Sequence, residues 1–90
     1  MPRQRKSKPR GPDHAALAQA IELLIAEDAR MTQETVAEDS GLNIKQINAF
    51  VRGQGNPTYV TILKLARGLH VRPGELVSLA DELRERSSRR

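Results

Sequence analysis

Cysteine and tryptophan are absent, and the only aromatic residues are Phe50 and Tyr59. Without cysteine there is no disulfide framework, no thiolate metal site and no Cys nucleophile. A secreted chain of 90 residues normally needs such staples, so the cytoplasm is the expected compartment. His14 and His70 lie far apart, with no partner at metal-ligand spacing, so no metal is expected. The pair Gly53-Gln54-Gly55 lacks the third glycine and the preceding strand of a dinucleotide site. No cofactor or small-molecule ligand is therefore expected, and an enzyme is not. Long hydrophobic runs are missing too. Leu23-Leu24-Ile25-Ala26 is as long as any, against about 20 residues for a membrane span. Gln19 and Glu22 interrupt the stretch that would have to be the core of a signal peptide.

Negative charge is absent from the first end and scarce at the last. Residues 1–12 hold Arg3, Arg5, Lys6, Lys8 and Arg10 and no acid. Residues 84–90 hold four arginines (84, 86, 89 and 90) against Glu85. The middle, 13–83, carries six basic and ten acidic residues, so the net +4 conceals a mildly acidic body between two basic ends. Three segments follow: a basic arm, 1–12; a folded domain, 13–83; and a basic tail, 84–90. Basic ends point to nucleic acid before an anionic membrane surface. Pro2, Pro9, Gly11 and Pro12 keep the arm from being helical, and it is expected to be disordered.

No segment alternates with period two, and five short helices account for the rest. Asp13 reads as the N-cap of the first, about 14–28, with Leu17, Ile21, Leu24 and Ile25 inward. Thr32 caps a second, about 33–40, which Gly41 ends in a left-handed turn. Asn43, with Gln46 three residues on, forms a capping box for a third, about 44–52. Thr58 caps a fourth, about 59–69, burying Ile62, Leu65, Ala66 and Leu69. Pro73 opens a fifth, striped with Leu76, Leu79, Ala80 and Leu83.

Two short helices joined through a glycine-containing turn form a helix-turn-helix unit. Here Thr32-Gln33-Glu34, Val36-Ala37, Gly41-Leu42, Ile47, Phe50 and Arg52-Gly53 carry a more specific pattern. Asn56-Pro57-Thr58, Thr61-Ile62, Lys64-Leu65-Ala66 and Leu69 continue it. Over residues 14–80 the chain resembles the phage-repressor (Cro/repressor-type) DNA-binding family, with His70 where a glycine is usual. The resemblance implies an all-α, compact five-helix domain. It also implies a homodimeric, sequence-specific double-stranded DNA-binding regulator, a repressor or activator, associated with the nucleoid when bound. A basic arm before the first helix also occurs in the family, and Arg3–Arg10 is similar in kind.

The third helix can be read from geometry, since each residue advances about 100°. With Ile47 and Phe50 inward, the outward face holds Lys45, Asn48, Ala49 and Arg52, flanked by Ile44 and Gln46. This face has no acid. Ile44, Lys45, Gln46, Asn48 and Ala49 are the candidate base contacts: Lys45 toward guanine, the amides toward adenine, Ile44 and Ala49 toward a thymine methyl. Gln33, Asn43, Arg52, Asn56 and Thr58 are the candidate phosphate contacts. The family resemblance makes Gln33 a backbone clamp. Arg3, Arg5, Lys6, Lys8 and Arg10 form the candidate DNA arm. The leucine stripe of the fifth helix is the candidate dimer surface. The competing reading is a protein-interaction module of the same fold, an antitoxin or transcription co-regulator.

Overall fold

A computed structural model describes residues 8–88. Arg3, Arg5, Lys6, Arg89 and Arg90 lie outside the described residues. Among those described there are five helices and no strand: α1 (Pro12–Ala26), α2 (Gln33–Ser40), α3 (Ile44–Val51), α4 (Tyr59–Gly68) and α5 (Pro73–Ser88).

The helix starts follow from side chains that accept orphan amide protons. Thr32 Oγ1 accepts the Thr35 N–H at 3.2 Å, and Thr35 Oγ1 accepts the Thr32 N–H at 2.9 Å. Thr58 Oγ1 accepts the Thr61 N–H at 3.2 Å. Such caps stabilise a helix by about 1 kcal/mol each. α1 differs from the sequence expectation. It begins at Pro12, with Gly11 at the cap position and no side-chain cap. Proline has no N–H to satisfy and a preset φ, so it starts the helix before Asp13 can cap it. Asp13 Oδ1 instead accepts from Arg84 Nε at 2.9 Å, across to α5. The other end of α1 is also shorter than expected, because the Asp28 carboxylate accepts the Arg30 N–H at 3.0 Å and turns the chain.

The core is aliphatic. Ile21, Val36, Ile47, Leu65 and Leu76 are fully buried, and Phe50 closes it under α3. Each such side chain contributes about 1.5–3 kcal/mol by burial. α1 packs on α5 and α3, α2 on α3 and α4, and α4 on α5. The α2–α4 contact is close because Gly68 has no side chain: a Cβ there would lie 2.6 Å from the Val36 carbonyl oxygen. Ser40 is also buried in this contact, donating to the Ala37 carbonyl and accepting the Leu42 N–H.

The leucine stripe of α5 is buried at Leu76 and half-buried at Leu79, Ala80 and Leu83. Leu76 belongs to the core, and Leu79, Ala80 and Leu83 pack against it. α1 and the end of α4 present enough apolar surface to cover the stripe within one chain. The fifth helix also extends to Ser88 and takes up Arg84 and Arg86, which the charge pattern assigns to a tail. The Asp13–Arg84 tie and the packing of Leu83 hold α5 to the body as far as Arg84.

Candidate nucleic-acid interface

α2, the Gly41 turn and α3 build the site. Gly41 adopts φ 78, the left-handed region that allows the chain to reverse between the helices. Ile47 and Phe50 anchor α3 inward, as the helix wheel requires. Ile44, Lys45 and Gln46 at its N-terminus are exposed, as is Arg52 at its end; Asn48 and Ala49 are half-buried. No acid stands on this helix, so nothing on it repels a phosphate.

The capping box defines the N-terminus of α3. Asn43 Oδ1 accepts the Lys45 N–H at 2.8 Å, and Gln46 Oε1 accepts the Asn43 N–H at 3.1 Å. Both carboxamide oxygens are turned to the backbone, leaving the two NH₂ groups free to donate. Gln33 is the first residue of α2, directly after the Thr32 cap. The Thr32 hydroxyl takes the third amide of α2, which leaves the first two, of Gln33 and Glu34, for an anion.

Asn56 and Thr58 lie in the loop between α3 and α4 and already have partners. Asn56 Oδ1 accepts from His14 Nε2 on α1 at 3.1 Å, which ties the loop to the first helix. Thr58 caps α4. Tyr59 is 76% exposed at the head of α4, while Ile62 and Leu65 turn inward.

The arm also departs from expectation within the described residues. Lys8, Pro9 and Arg10 are not free: the Arg10 N–H donates to the Gly53 carbonyl at 2.9 Å, and the Gln54 side chain donates to the Lys8 carbonyl. Gly53 and Gly55 have positive φ, and the loop folds back so that Gly55 abuts the Phe50 ring and Ala49. That fold-back accounts for the partial shielding of Ala49. Sequence reasoning missed Gln54, His14 and this docking; two glycines around Gln54 were the available signal.

An acid-free, exposed short helix set after a glycine turn, with a second helix N-terminus beside it, defines a helix-turn-helix nucleic-acid-binding domain. The chain belongs to the Helix-turn-helix family of Cro/repressor type, whose model matches residues 25–76. It is 40% identical over 52 residues to the uncharacterized HTH-type transcriptional regulator y4dJ of Sinorhizobium fredii, covering 58% of this chain and 68% of that protein. It is also similar to the crystal structure of the restriction-modification controller protein C.AhdI from Aeromonas hydrophila. There the identity is 36% and the TM-score 0.67, over 73% of this chain and 98% of that one.

Proposed function

We propose that α3 lies in the major groove of double-stranded DNA and that its first residues read base edges. The protein is a sequence-specific DNA-binding transcriptional regulator. The observation that carries the reading is the exposed, acid-free N-terminus of α3, held rigid by the Asn43–Gln46 box. Lys45 donates to guanine O6 and N7, with Gln46, Asn48 and the apolar Ile44 and Ala49 as its neighbours in the groove. Gln33, Asn43, Arg52, Asn56 and Thr58 hold the phosphates on either side. Arg3, Arg5, Lys6, Lys8 and Arg10 add charge from the arm. Among the described residues no helix is long and apolar enough to cross a membrane, in keeping with work at the nucleoid in the cytoplasm.

The protein acts as a homodimer, placing two recognition helices about 34 Å apart to match half-sites one turn apart. Leu76 is buried in the core of its own chain, while Leu79 and Leu83 are half-buried. If the contact runs through α5 it centres on Val77, which is 51% exposed.

The test is Lys45→Ala against Arg52→Ala on a duplex selected from random DNA and on a scrambled one. Lys45→Ala should cost about 1–3 kcal/mol on the selected duplex and relax preference at one base pair. Arg52→Ala should weaken both duplexes equally and lower the salt slope by about 1. Equal losses for both variants on both duplexes would make α3 an electrostatic surface only.

A further inference from the structure

We infer that the loop Gly53–Gly55 is a latch for the N-terminal arm, fixing Lys8 and Arg10 at the C-terminal end of α3 so that both charges fall on DNA phosphates flanking the groove α3 enters. Gln54 is the positioning residue of that latch. The inference rests on the reading of α3 as the recognition helix.

Three observations converge on the latch. The Arg10 N–H donates to the Gly53 carbonyl at 2.9 Å. The Gln54 Nε2 amide donates to the Lys8 carbonyl, so the arm is held on both sides of Pro9. Pro9 itself lies on Gly53, where an added Cβ would come within 2.7 Å of the Pro9 Cβ. The loop is in turn fixed to α3, because the Gln54 N–H donates to the Ala49 carbonyl at 2.8 Å and Gly55 rests on the Phe50 ring. Arm, loop and recognition helix therefore form one connected unit.

The charges on this unit are uncommitted. Lys8, Arg10 and Arg52 are all exposed, and the ion pairs among the described residues, Asp39–His70 and Asp13–Arg84, involve none of them. Both side-chain charges thus remain for an anion, while the backbone between them is held. A tether held at a defined point loses less freedom on binding than a free one, so each charge contributes more affinity than in a loose tail. The partner with regularly spaced anions beside α3 is the duplex backbone.

The experiment is a double-mutant cycle in the full chain: wild type, Gln54→Ala, Lys8→Gln with Arg10→Gln, and all three together. Binding to one selected duplex is measured over about 0.05–0.2 M salt. Neutralising Lys8 and Arg10 should lower the log-log salt slope by about 2. Gln54→Ala should weaken binding about three- to tenfold in the charged-arm protein. It should be silent, within about twofold, once the arm charges are gone. Equal loss in both backgrounds would mean that Gln54 touches DNA itself, and no loss in either would mean that no latch is needed. Both outcomes overturn the inference. Hydrogen exchange of the DNA-free protein gives a readout independent of binding. The Arg10 amide should be protected in wild type and lose protection in Gln54→Ala, and an unprotected wild-type amide refutes the latch. Failure of the α3 reading shows separately, as Lys45→Ala leaving binding to the same duplex unchanged.

Discussion

Gly68→Ala and Gly74→Ala are the same chemical change with opposite expected signs. Gly68 is the last residue of α4 and is buried against α2. A Cβ at Gly68 would lie 2.6 Å from the Val36 carbonyl oxygen and 2.7 Å from the Ser40 Cβ. Neither is the end of a flexible side chain: Val36 and Ser40 sit one helical turn apart in α2, so the two helices must separate. Such overpacking costs about 1–3 kcal/mol. Backbone contact puts this case near the top, and improved helix propensity returns at most about 1 kcal/mol. A net loss of about 2 kcal/mol follows, which lowers Tm by about 8–16 °C in a domain of this size. At Gly74, in the first turn of α5, an added Cβ meets nothing within 4 Å. That substitution should stabilise by about 0.4–1 kcal/mol, through the unfolded chain. Thermal melts followed by circular dichroism decide the matter. If both variants raise Tm, or if Gly68→Ala shifts it by less than about 2 °C, close α2–α4 contact is not what Gly68 provides.

Leu76→Ala should cost about 2–5 kcal/mol in urea unfolding, as expected of a fully buried leucine and not of an interface residue. Val77→Asp should leave monomer stability within about 0.5 kcal/mol, because its side chain is exposed, yet convert dimer to monomer in sedimentation. A Val77→Asp dimer of unchanged affinity moves the contact away from α5, with the exposed pair Tyr59 and Val60 at the head of α4 next to be tested.

The elements of the fold were legible because their punctuation is local. Thr32, Asn43 and Thr58 cap the helices they were expected to cap, and Gly41 takes the left-handed turn. His70, in the place where the family has glycine, has φ 61, so the position keeps its backbone conformation even without glycine. Its side chain bonds Asp39 at 2.9 Å on α2. What a single sequence leaves open is long-range. A leucine stripe has the same period whether a neighbouring helix or a second copy covers it, so Leu76, Leu79 and Leu83 could not declare their partner. The small alanines that let α1 pack closely, Ala16, Ala18 and Ala20, are buried although they carry little hydrophobic signal. The latch at Gly53 depends on residues more than 40 positions apart, and the two glycines around Gln54 mark a turn without saying what docks on it.

Capping and DNA contact are not alternatives at the N-terminus of α3. The box turns the Asn43 and Gln46 oxygens toward the backbone, which leaves their NH₂ groups and the exposed Lys45 ammonium to donate. The polar groups at this end of the helix then offer chiefly donors. An adenine read bidentately needs an acceptor for its N6 amino group as well as a donor for N7. The Gln46 oxygen already accepts the Asn43 N–H, and turning it fully to an adenine gives up that bond, at a cost of about 1 kcal/mol for the cap. Guanine presents two acceptors, O6 and N7, and suits a donor-rich surface without that loss. Guanine is therefore the expected base opposite Lys45 and Gln46, and cytosine, whose N4 amino group would face these donors, is the base expected to be rejected. Selection from random DNA reads this directly. The substitution Gln46→Glu keeps an oxygen for the Asn43 N–H but turns the outward group into an acceptor, and should shift preference at that position away from guanine. Unchanged guanine preference in Gln46→Glu, or cytosine at the position in the wild type, would refute the donor-rich reading of this helix end.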